Sequence, residues 1–262
     1  MCELLGMSAN VPTDICFSFS GLIKRGGETG PHRDGWGIAF YQGRGVREFR
    51  DPQPGFDSEI AKFIKDFPIK STVVISHIRQ ANVGKVSLEN THPFIRELEG
   101  RYWCYAHNGQ LKGLELLTRT ADERFAPVGG TDSEAAFCWL MGVLAKGKGQ
   151  SLEERQTLIK ACADQLAQLG VFNMLLSDGE RLYVYCSTKL HWITRRAPFG
   201  VATLHDDDIS VNFGEETSID DVVTMIATEP LTTNETWVKM QSGELAVFER
   251  GELVGNDRKT EV

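Results

Sequence analysis

The sequence predicts an α+β fold built on antiparallel sheets, and three observations lead to this prediction. Segments of strand length follow one another in runs, as do segments of helical length, whereas a doubly wound fold would alternate them. Two turns, Asp178-Gly179 and Ser242-Gly243, join apolar segments in the manner of hairpins. With 262 residues, the chain is long enough for a substantial core, and we expect a single domain over residues 1–262.

The N-terminal half is expected to combine strands with short helices. Thr13 or Asp14 would cap the first helix, and Gly26-Gly27 would end it. The stretch 80–100 is polar, rich in turn residues and long for a loop, which is typical of functional loops. In chain order we expect a strand, a helix, a hairpin, a short helix, a strand, that loop and a strand ending in a turn, over residues 2–9, 12–27, 35–51, 58–67, 71–79, 80–100 and 101–109.

The C-terminal half is expected to begin with helices and to continue with strands. Helices are predicted over residues 132–145 and 152–169, because their apolar residues recur at intervals of three and four. Apolar segments of strand length fill the remainder. These segments cover residues 172–178, 181–187, 191–195, 200–204, 222–228, 236–241 and 245–250.

Composition and charge exclude several classes of protein. A net charge of -8 and an isoelectric point near 5.3 argue against a surface for nucleic acids or acidic membranes. Because no apolar run reaches roughly 18 residues and no signal peptide is visible, we expect a cytoplasmic protein without membrane contact. The six cysteines lack C-x-x-C spacing, which favours reduced thiols. No zinc, calcium or phosphate-loop motif is present, so neither a metal nor a cofactor is expected.

Cys2 stands directly after the initiator methionine. As a small residue it would tolerate removal of Met1, and it could simply pack in an edge strand. If Met1 is removed, however, one residue carries both a thiol and a free α-amino group, which titrate at about 8.5 and about 8. The amine could take the thiol proton and return it to a leaving amine, as in other activated nucleophiles.

Three further fragments have both a structural and a chemical interpretation. Arg79, in "SHIR", could be a solvated residue of an edge strand or a planar fork for a carboxylate. Asn108-Gly109 is a good turn signal, but an Asn amide and a Gly N–H could also form an oxyanion hole. Asp132 lies at a helix start, where it could cap the helix or bind a substrate ammonium group.

The order of these fragments is more specific than any one of them. A cysteine at position 2 is followed by "DGWG", "H-x-R", "NTHPF", "HNG" and "GTDSE", within residues 2–134. This series resembles the class II glutamine amidotransferases, N-terminal nucleophile hydrolases, and "DGWGIAFY" is similar to their small stand-alone branch. Gln80 departs from the family, whose larger members often have an aromatic residue there.

The resemblance implies a four-layer αββα sandwich with two antiparallel sheets. It also implies that Cys2 is the nucleophile and that Asn108 and Gly109 form the oxyanion hole. Arg79 and Asp132 would bind the α-carboxylate and the α-ammonium group of glutamine. The same resemblance implies that His77 and the loop from Gln80 to His92 shape the lid of the substrate pocket.

The expected activity is hydrolysis of the γ-amide of glutamine through a γ-glutamyl thioester. Because no residues remain for a synthase domain, ammonia would pass to a separate synthase subunit or to another acceptor. Two alternatives stay open at this point. The substrate could be another γ-glutamyl amide, such as a glutathione-like peptide, or the chain could be a catalytically silent regulatory subunit of the same fold.

Overall fold

The computed structural model describes residues 2–81, 84–118, 122–147 and 149–258. Its strands are β1 Glu3–Thr13, β2 Trp36–Gln42, β3 Gly45–Asp51, β4 Ser71–Ile78, β5 Phe94–Leu98, β6 Arg101–Leu111, β7 Gly170–Ser177, β8 Arg181–Cys186, β9 His191–Arg196, β10 Val201–Thr203, β11 Ser210–Asn212, β12 Val222–Ala227, β13 Val238–Lys239, β14 Glu244–Glu249 and β15 Glu252–Asn256. Its helices are α1 Cys16–Arg25, α2 Glu59–Asp66, α3 Glu115–Thr118, α4 Asp132–Lys146, α5 Leu152–Ala167 and α6 Phe213–Glu216.

Two large antiparallel sheets contain most of these strands. The first has the order β13-β9-β12-β1-β4-β2-β3, and the second has the order β15-β14-β8-β7-β6-β5. Strands β10 and β11 form a small sheet of their own. In the first sheet β1 is central, with β12 on one side and β4 on the other. In the second sheet β6 pairs with β7 along its C-terminal half, while β5 covers only its N-terminal half.

Three apolar layers hold the molecule together. One layer joins α1 and α2 to the outer face of the first sheet, with Phe19 and Ile64 among its buried residues. A middle layer, including Leu4 and Ala106, lies between the sheets. The third joins α4 and α5 to the second sheet, with Phe137 among its buried residues. The order helix, sheet, sheet, helix confirms the αββα sandwich.

Most predicted elements are present, but several boundaries differ. The first helix starts at Cys16, later than expected, because β1 continues through Thr13. Its N-cap is Ile15, and the Asp14 carboxylate accepts the Cys16 N–H at 3.2 Å. As predicted, the helix ends at Gly26, whose N–H bonds to the carbonyl of Ile23. The stretch expected to be one long loop contains β5, which pairs with β6.

Two of the predicted turns are wrong, because strand pairing places these residues differently. Asn108-Gly109 lies inside β6, where it pairs with Asn173 and Phe172 of β7. Ser242-Gly243 does not form a hairpin: β13 pairs with β9 in the first sheet, while β14 pairs with β8 in the second. The chain therefore crosses between the two sheets at this turn. The turn at 178–179 does join the neighbouring strands β7 and β8, as predicted.

Candidate active site

Strand alternation brings Cys2 and Asn108 to the same space between the sheets. Leu4 of β1 and Ala106 of β6 both belong to the layer between the sheets. Side chains two residues apart lie on the same face of a strand. Cys2 precedes Leu4 by two positions, and Asn108 follows Ala106 by two. Both side chains therefore extend that layer at one end of the sandwich.

The backbone of Gln80 contacts the thiol of Cys2 directly. The Gln80 N–H donates to Cys2 Sγ at 3.3 Å, and Sγ lies 3.5 Å from the Gln80 carbonyl oxygen. Burial raises the pKa of the Cys2 thiol, and the Gln80 hydrogen bond and the Arg79 guanidinium offset only part of this rise. These two contacts favour the thiolate, but the folded protein still holds the thiol pKa above its ordinary value.

The "DGWG" segment fixes the backbone that contacts the thiol. The Asp34 N–H donates to the carbonyl of Arg79 at 3.1 Å, and the Arg79 N–H donates to the Gly35 carbonyl at 2.8 Å. The Asp34 carboxylate accepts the Ala81 N–H at 2.7 Å. Gly37 leaves room for the segment that contains His92, because a Cβ at Gly37 would lie 2.2 Å from the His92 carbonyl oxygen. These contacts hold residues 79–81 against β2.

Arg79 is buried beside two acidic side chains. Its side chain is only 3% exposed, and Nη1 donates to the Lys85 carbonyl at 3.0 Å. Burial lowers the pKa of the guanidinium, whereas Cys2, Asp34 and Asp132 stabilise its charge. A guanidinium remains protonated through such a shift. The site therefore contains a fixed positive charge close to the nucleophile.

Asp132 is the first residue of α4, where the helix dipole favours a negative charge. Its Oδ2 accepts the Leu111 N–H at 2.6 Å, and its Oδ1 accepts the Ser133 N–H at 3.0 Å. The helix is capped instead by Thr131, whose hydroxyl accepts the Glu134 N–H at 3.2 Å. Thr131 therefore supplies the cap hydrogen bond, and the neighbouring Asp132 supplies the carboxylate.

His107 lies between α4 and β7, with both ring nitrogens in hydrogen bonds. Nε2 donates to the Val171 carbonyl at 3.1 Å, since a carbonyl only accepts. Nδ1 is then the acceptor, and the Ser133 hydroxyl donates to it at 2.8 Å. Burial lowers the pKa of this imidazole, although the Val171 carbonyl and the Asp132 charge oppose the shift. Neither His107 nor Ser133 was among the residues predicted to act.

A small cavity brings most of the predicted residues together. It is lined by Cys2, Arg79, Gln80, Ala81, His92, His107, Gly109, Gln110, Thr131, Asp132 and Ser133, and its volume is about 30 Å³. This space accommodates one or two water molecules, so binding of an amino acid would require neighbouring residues to move. Asn108 is fully buried just behind the cavity wall, and His77 does not line the cavity.

Within the described ranges, no group of three or more His, Cys, Asp or Glu residues is placed to hold a metal ion. The cysteines are all unpaired thiols, as their spacing predicted. None of the helices in the described part of the chain has both the length and the apolar character that crossing a membrane would take.

Comparisons with known proteins agree with this architecture. A model of the family described as "Glutamine amidotransferases class-II" matches residues 1–262. The chain is 61% identical over 257 residues to YafJ of Escherichia coli (strain K12), provisionally named a glutamine amidotransferase, with 97% of this chain and all of YafJ covered.

Two solved structures are similar as well. A protein of Pseudomonas aeruginosa PA01, described as a predicted glutamine amidotransferase, is 53% identical with a TM-score of 0.77, and the match covers 97% of this chain and 100% of that one. Glutamine phosphoribosylpyrophosphate amidotransferase of Bacillus subtilis shares the fold alone, at 15% identity and a TM-score of 0.65, over 98% of this chain and 49% of that one. By its family match and its close relatives, this chain belongs to the class II glutamine amidotransferases.

Proposed function

We propose that this protein hydrolyses the γ-amide of glutamine through a thioester on Cys2, after removal of Met1. One observation carries the proposal. The Cys2 thiol accepts a backbone N–H at 3.3 Å and shares a small cavity with a buried cation, Arg79, and with the Asp132 carboxylate. A nucleophile between charges of opposite sign suits an amino acid that carries both charges itself.

The first half of the reaction forms the thioester. The Cys2 α-amine takes the thiol proton, and the thiolate attacks the γ-carbonyl carbon of glutamine. The resulting oxyanion would be stabilised by the Gly109 N–H and the Asn108 amide. As the tetrahedral intermediate collapses, the C–N bond breaks and the protonated α-amine gives its proton to the departing nitrogen, which leaves as ammonia.

The second half consumes one water molecule. The Cys2 α-amine, now neutral, takes a proton from water, and the hydroxide oxygen attacks the thioester carbon. The same two donors stabilise the second oxyanion. Collapse breaks the C–S bond, returns the proton to sulfur and releases glutamate. The α-amine and the thiol of Cys2 thus carry out all the proton transfers, and no other side chain takes part.

Substrate orientation would come from Arg79 and Asp132. The planar guanidinium matches the glutamine α-carboxylate with two parallel hydrogen bonds. Asp132 already accepts two backbone N–H groups, which fixes its carboxylate and leaves lone pairs for the substrate ammonium. Clamping both charged groups would place the γ-carbonyl within reach of Cys2. Residues 1–262 would act as one glutaminase domain that delivers ammonia to a separate acceptor.

A covalent label tests nucleophile, processing and substrate shape together. The purified protein is incubated with 6-diazo-5-oxo-norleucine, and intact and peptide masses are measured. We expect one adduct on a peptide that begins at Cys2, together with ammonia release from glutamine. Cys2→Ser is the matched control, because it keeps the shape of the side chain but should neither be labelled nor release ammonia at the wild-type rate.

Other outcomes of this experiment would indicate a different substrate or a different role for the protein. One such outcome is a chain that begins at Cys2, carries no label and releases an amine from γ-glutamyl peptides. The substrate would then be a larger γ-glutamyl compound and not glutamine. No label and no release from either substrate would indicate a silent subunit. If Met1 is still attached, the same assay is repeated on protein whose N-terminal cysteine has been exposed by a site-specific protease.

A further inference from the structure

Two buried side chains outside all the recognised motifs hold the groups proposed as the oxyanion hole. Asn173 of β7 is 1% exposed and Thr228, directly after β12, is 4% exposed. We propose that both are positioning residues for the reaction: Asn173 aims the Gly109 N–H, and Thr228 turns the Asn108 amide toward the substrate. This inference rests on the proposed function, because it concerns how that oxyanion hole is built.

Asn173 has a single possible orientation. Its Oδ1 accepts three backbone N–H groups at 3.1–3.3 Å, from Ser187, Thr188 and Lys189. A nitrogen in that position would face three donors, so the amide cannot be turned. Nδ2 then donates to Thr188 Oγ1 at 2.9 Å and to the Asn108 carbonyl at 3.2 Å. The side chain is therefore locked, with one N–H fixed on Asn108.

Fixing the Asn108 carbonyl also fixes the Gly109 N–H. The two groups belong to one planar peptide unit and point in opposite directions. Asn108 faces Asn173 in the β6–β7 register, so the carbonyl points toward β7 and the Gly109 N–H points away from it. On that other side, the pairing of β5 with β6 ends at Phe94 and Tyr105. The N–H thus faces the open end of the strand, where the cavity lies.

The same hydrogen bond strengthens the Gly109 N–H as a donor. Donation to a carbonyl polarises its peptide unit and makes the attached N–H a stronger donor, by about 10–30% per bond. In a buried site such an increase acts on the oxyanion without screening by water. Asn173 therefore contributes direction and polarity without touching the substrate.

Thr228 connects the strand of the nucleophile to that of the oxyanion hole. Its Oγ1 accepts the Leu4 N–H at 2.9 Å and lies 3.4 Å from the Asn108 amide. Its own N–H donates to the Leu4 carbonyl at 3.2 Å. Since Leu4 already donates to Oγ1, the hydroxyl proton of Thr228 is available for an acceptor.

The Asn108 amide supplies that acceptor when it is turned over. With Nδ2 toward Thr228, Asn108 Oδ1 is buried without a hydrogen-bond partner in the described part of the chain. The two ends of an amide occupy equivalent positions, and the partners decide its direction. With Oδ1 toward Thr228, the hydroxyl donates to the oxygen, and Nδ2 is released toward the oxyanion. We assign this second orientation, because it gives the buried oxygen a donor and leaves N–H groups, rather than a lone pair, for the oxyanion.

Variants that keep shape but change donors test the proposal. Asn173→Asp keeps the oxygen that accepts three N–H groups and loses the donor to Asn108. Thr228→Val loses the hydroxyl, and Thr228→Ser keeps it. Thr224→Val is the matched control, since Thr224 is also buried, lies on β12 and bonds through its hydroxyl to Thr194 and Gly251. Rates are divided by the fraction of Cys2 that 6-diazo-5-oxo-norleucine labels.

The central readout separates transition-state binding from general loss of structure. Loss of one oxyanion donor typically lowers kcat by about 10²–10³-fold, so we expect losses of about 10-fold or more in Asn173→Asp and Thr228→Val. KM for glutamine should change by less than about 3-fold in both, since no ground-state contact is removed. Thr228→Ser and Thr224→Val should keep wild-type kcat per labelled site.

Inhibition by glutamate γ-semialdehyde gives the second readout. The Cys2 thiol adds across its carbonyl: sulfur bonds to carbon, the proton passes to oxygen, and that oxygen occupies the hole. The inhibition constant should rise about 10-fold or more in Asn173→Asp and Thr228→Val, and in neither Thr228→Ser nor Thr224→Val. Unchanged kcat and inhibition constants in both variants, with an active wild type, would overturn the inference. An inactive, unlabelled wild type would instead overturn the proposed function.

Discussion

The imidazole rings of His77 and His92 lie with their centroids 4.2 Å apart, and both side chains are buried. In the described part of the chain, none of their four ring nitrogens has a hydrogen-bond partner. Burial lowers the pKa of both imidazoles well below 6.5, and the positive charge of Arg79 acts in the same direction. The pair is therefore held neutral, with His92 lining the cavity and His77 packed against it from behind.

This pair makes stability depend on pH. Burial lowers the pKa of His107 and of His191 as well, so these histidines resist protonation in the folded state while the unfolded chain binds protons below about pH 6.5. The free energy of unfolding should therefore fall with decreasing pH, and each histidine that stays neutral in the folded state contributes up to about 1.4 kcal/mol per pH unit. Urea unfolding between pH 7.5 and pH 5 measures this slope.

His77→Gln isolates the contribution of one ring. It should reduce the slope by about 1.4 kcal/mol per pH unit, because one proton fewer is taken up on unfolding. Glu3, whose pKa is raised by burial, acts in the opposite direction but is present in both proteins. Equal slopes in wild type and variant would mean that His77 titrates normally in the folded protein.

The motifs and their supporting helix could be predicted from local sequence. Thr131 caps α4 and Asp132 opens it, and both follow from residue type and spacing. The grouping of Cys2, Arg79 and Asp132 is expected from the family resemblance that the order of the motifs carries, and all three line one cavity. The helix cap and the individual motifs each depend on a few neighbouring residues, and therefore a single sequence contains them.

Other features depend on pairing between distant strands. The residue types of Ser242-Gly243 suit a hairpin turn as well as a connection between two sheets. Only the pairing of β13 with β9 decides between them. Asn173 becomes a support for Asn108 through strand register alone. The one local signal was a polar residue inside the apolar strand "VFNMLLS", which marks a buried group in need of partners.

Gly109→Ala should damage the fold at the site itself. A Cβ on Gly109 would lie 1.8 Å from the Val171 carbonyl oxygen, so β6 and β7 would have to separate there. We expect a loss of about 3 kcal/mol in unfolding free energy and loss of ammonia release. Gly200→Ala is the control, because a Cβ at Gly200 meets nothing within 4 Å. Wild-type stability in Gly109→Ala would contradict the tight approach of the two strands.

Phe137 supports the helix that begins with Asp132. Its ring stacks on Tyr105 of β6, with centroids 4.8 Å apart and an interplanar angle of 2°. Because Phe137 is fully buried, Phe137→Ala should lower the unfolding free energy by about 4 kcal/mol. Phe67→Ala, at a residue that is 51% exposed, should cost less than about 1 kcal/mol. Similar losses in the two variants, measured by urea unfolding, would exclude this packing role.

Asp132→Asn tests recognition of the substrate ammonium group. Loss of a charged hydrogen bond of about 1.5–3 kcal/mol should lower kcat/KM for glutamine by roughly 10–100-fold. The decisive comparison uses 4-carbamoylbutanoate, which is glutamine without its α-amino group. Its kcat/KM should be low in the wild type and should change by less than about 3-fold in the variant, because Asp132 has no partner on it.

The comparison of substrates also controls for structural damage by the same substitution. Asp132→Asn weakens acceptance of the Leu111 or Ser133 N–H, and such damage would slow both substrates equally. Glu134→Gln is the matched variant in the same helical turn: it weakens the ion pair with Arg96 at 2.6 Å and should leave the ratio of the two kcat/KM values unchanged. A ratio that falls only in Asp132→Asn assigns ammonium recognition to that carboxylate, whereas equal ratios in all three proteins would remove Asp132 from substrate binding.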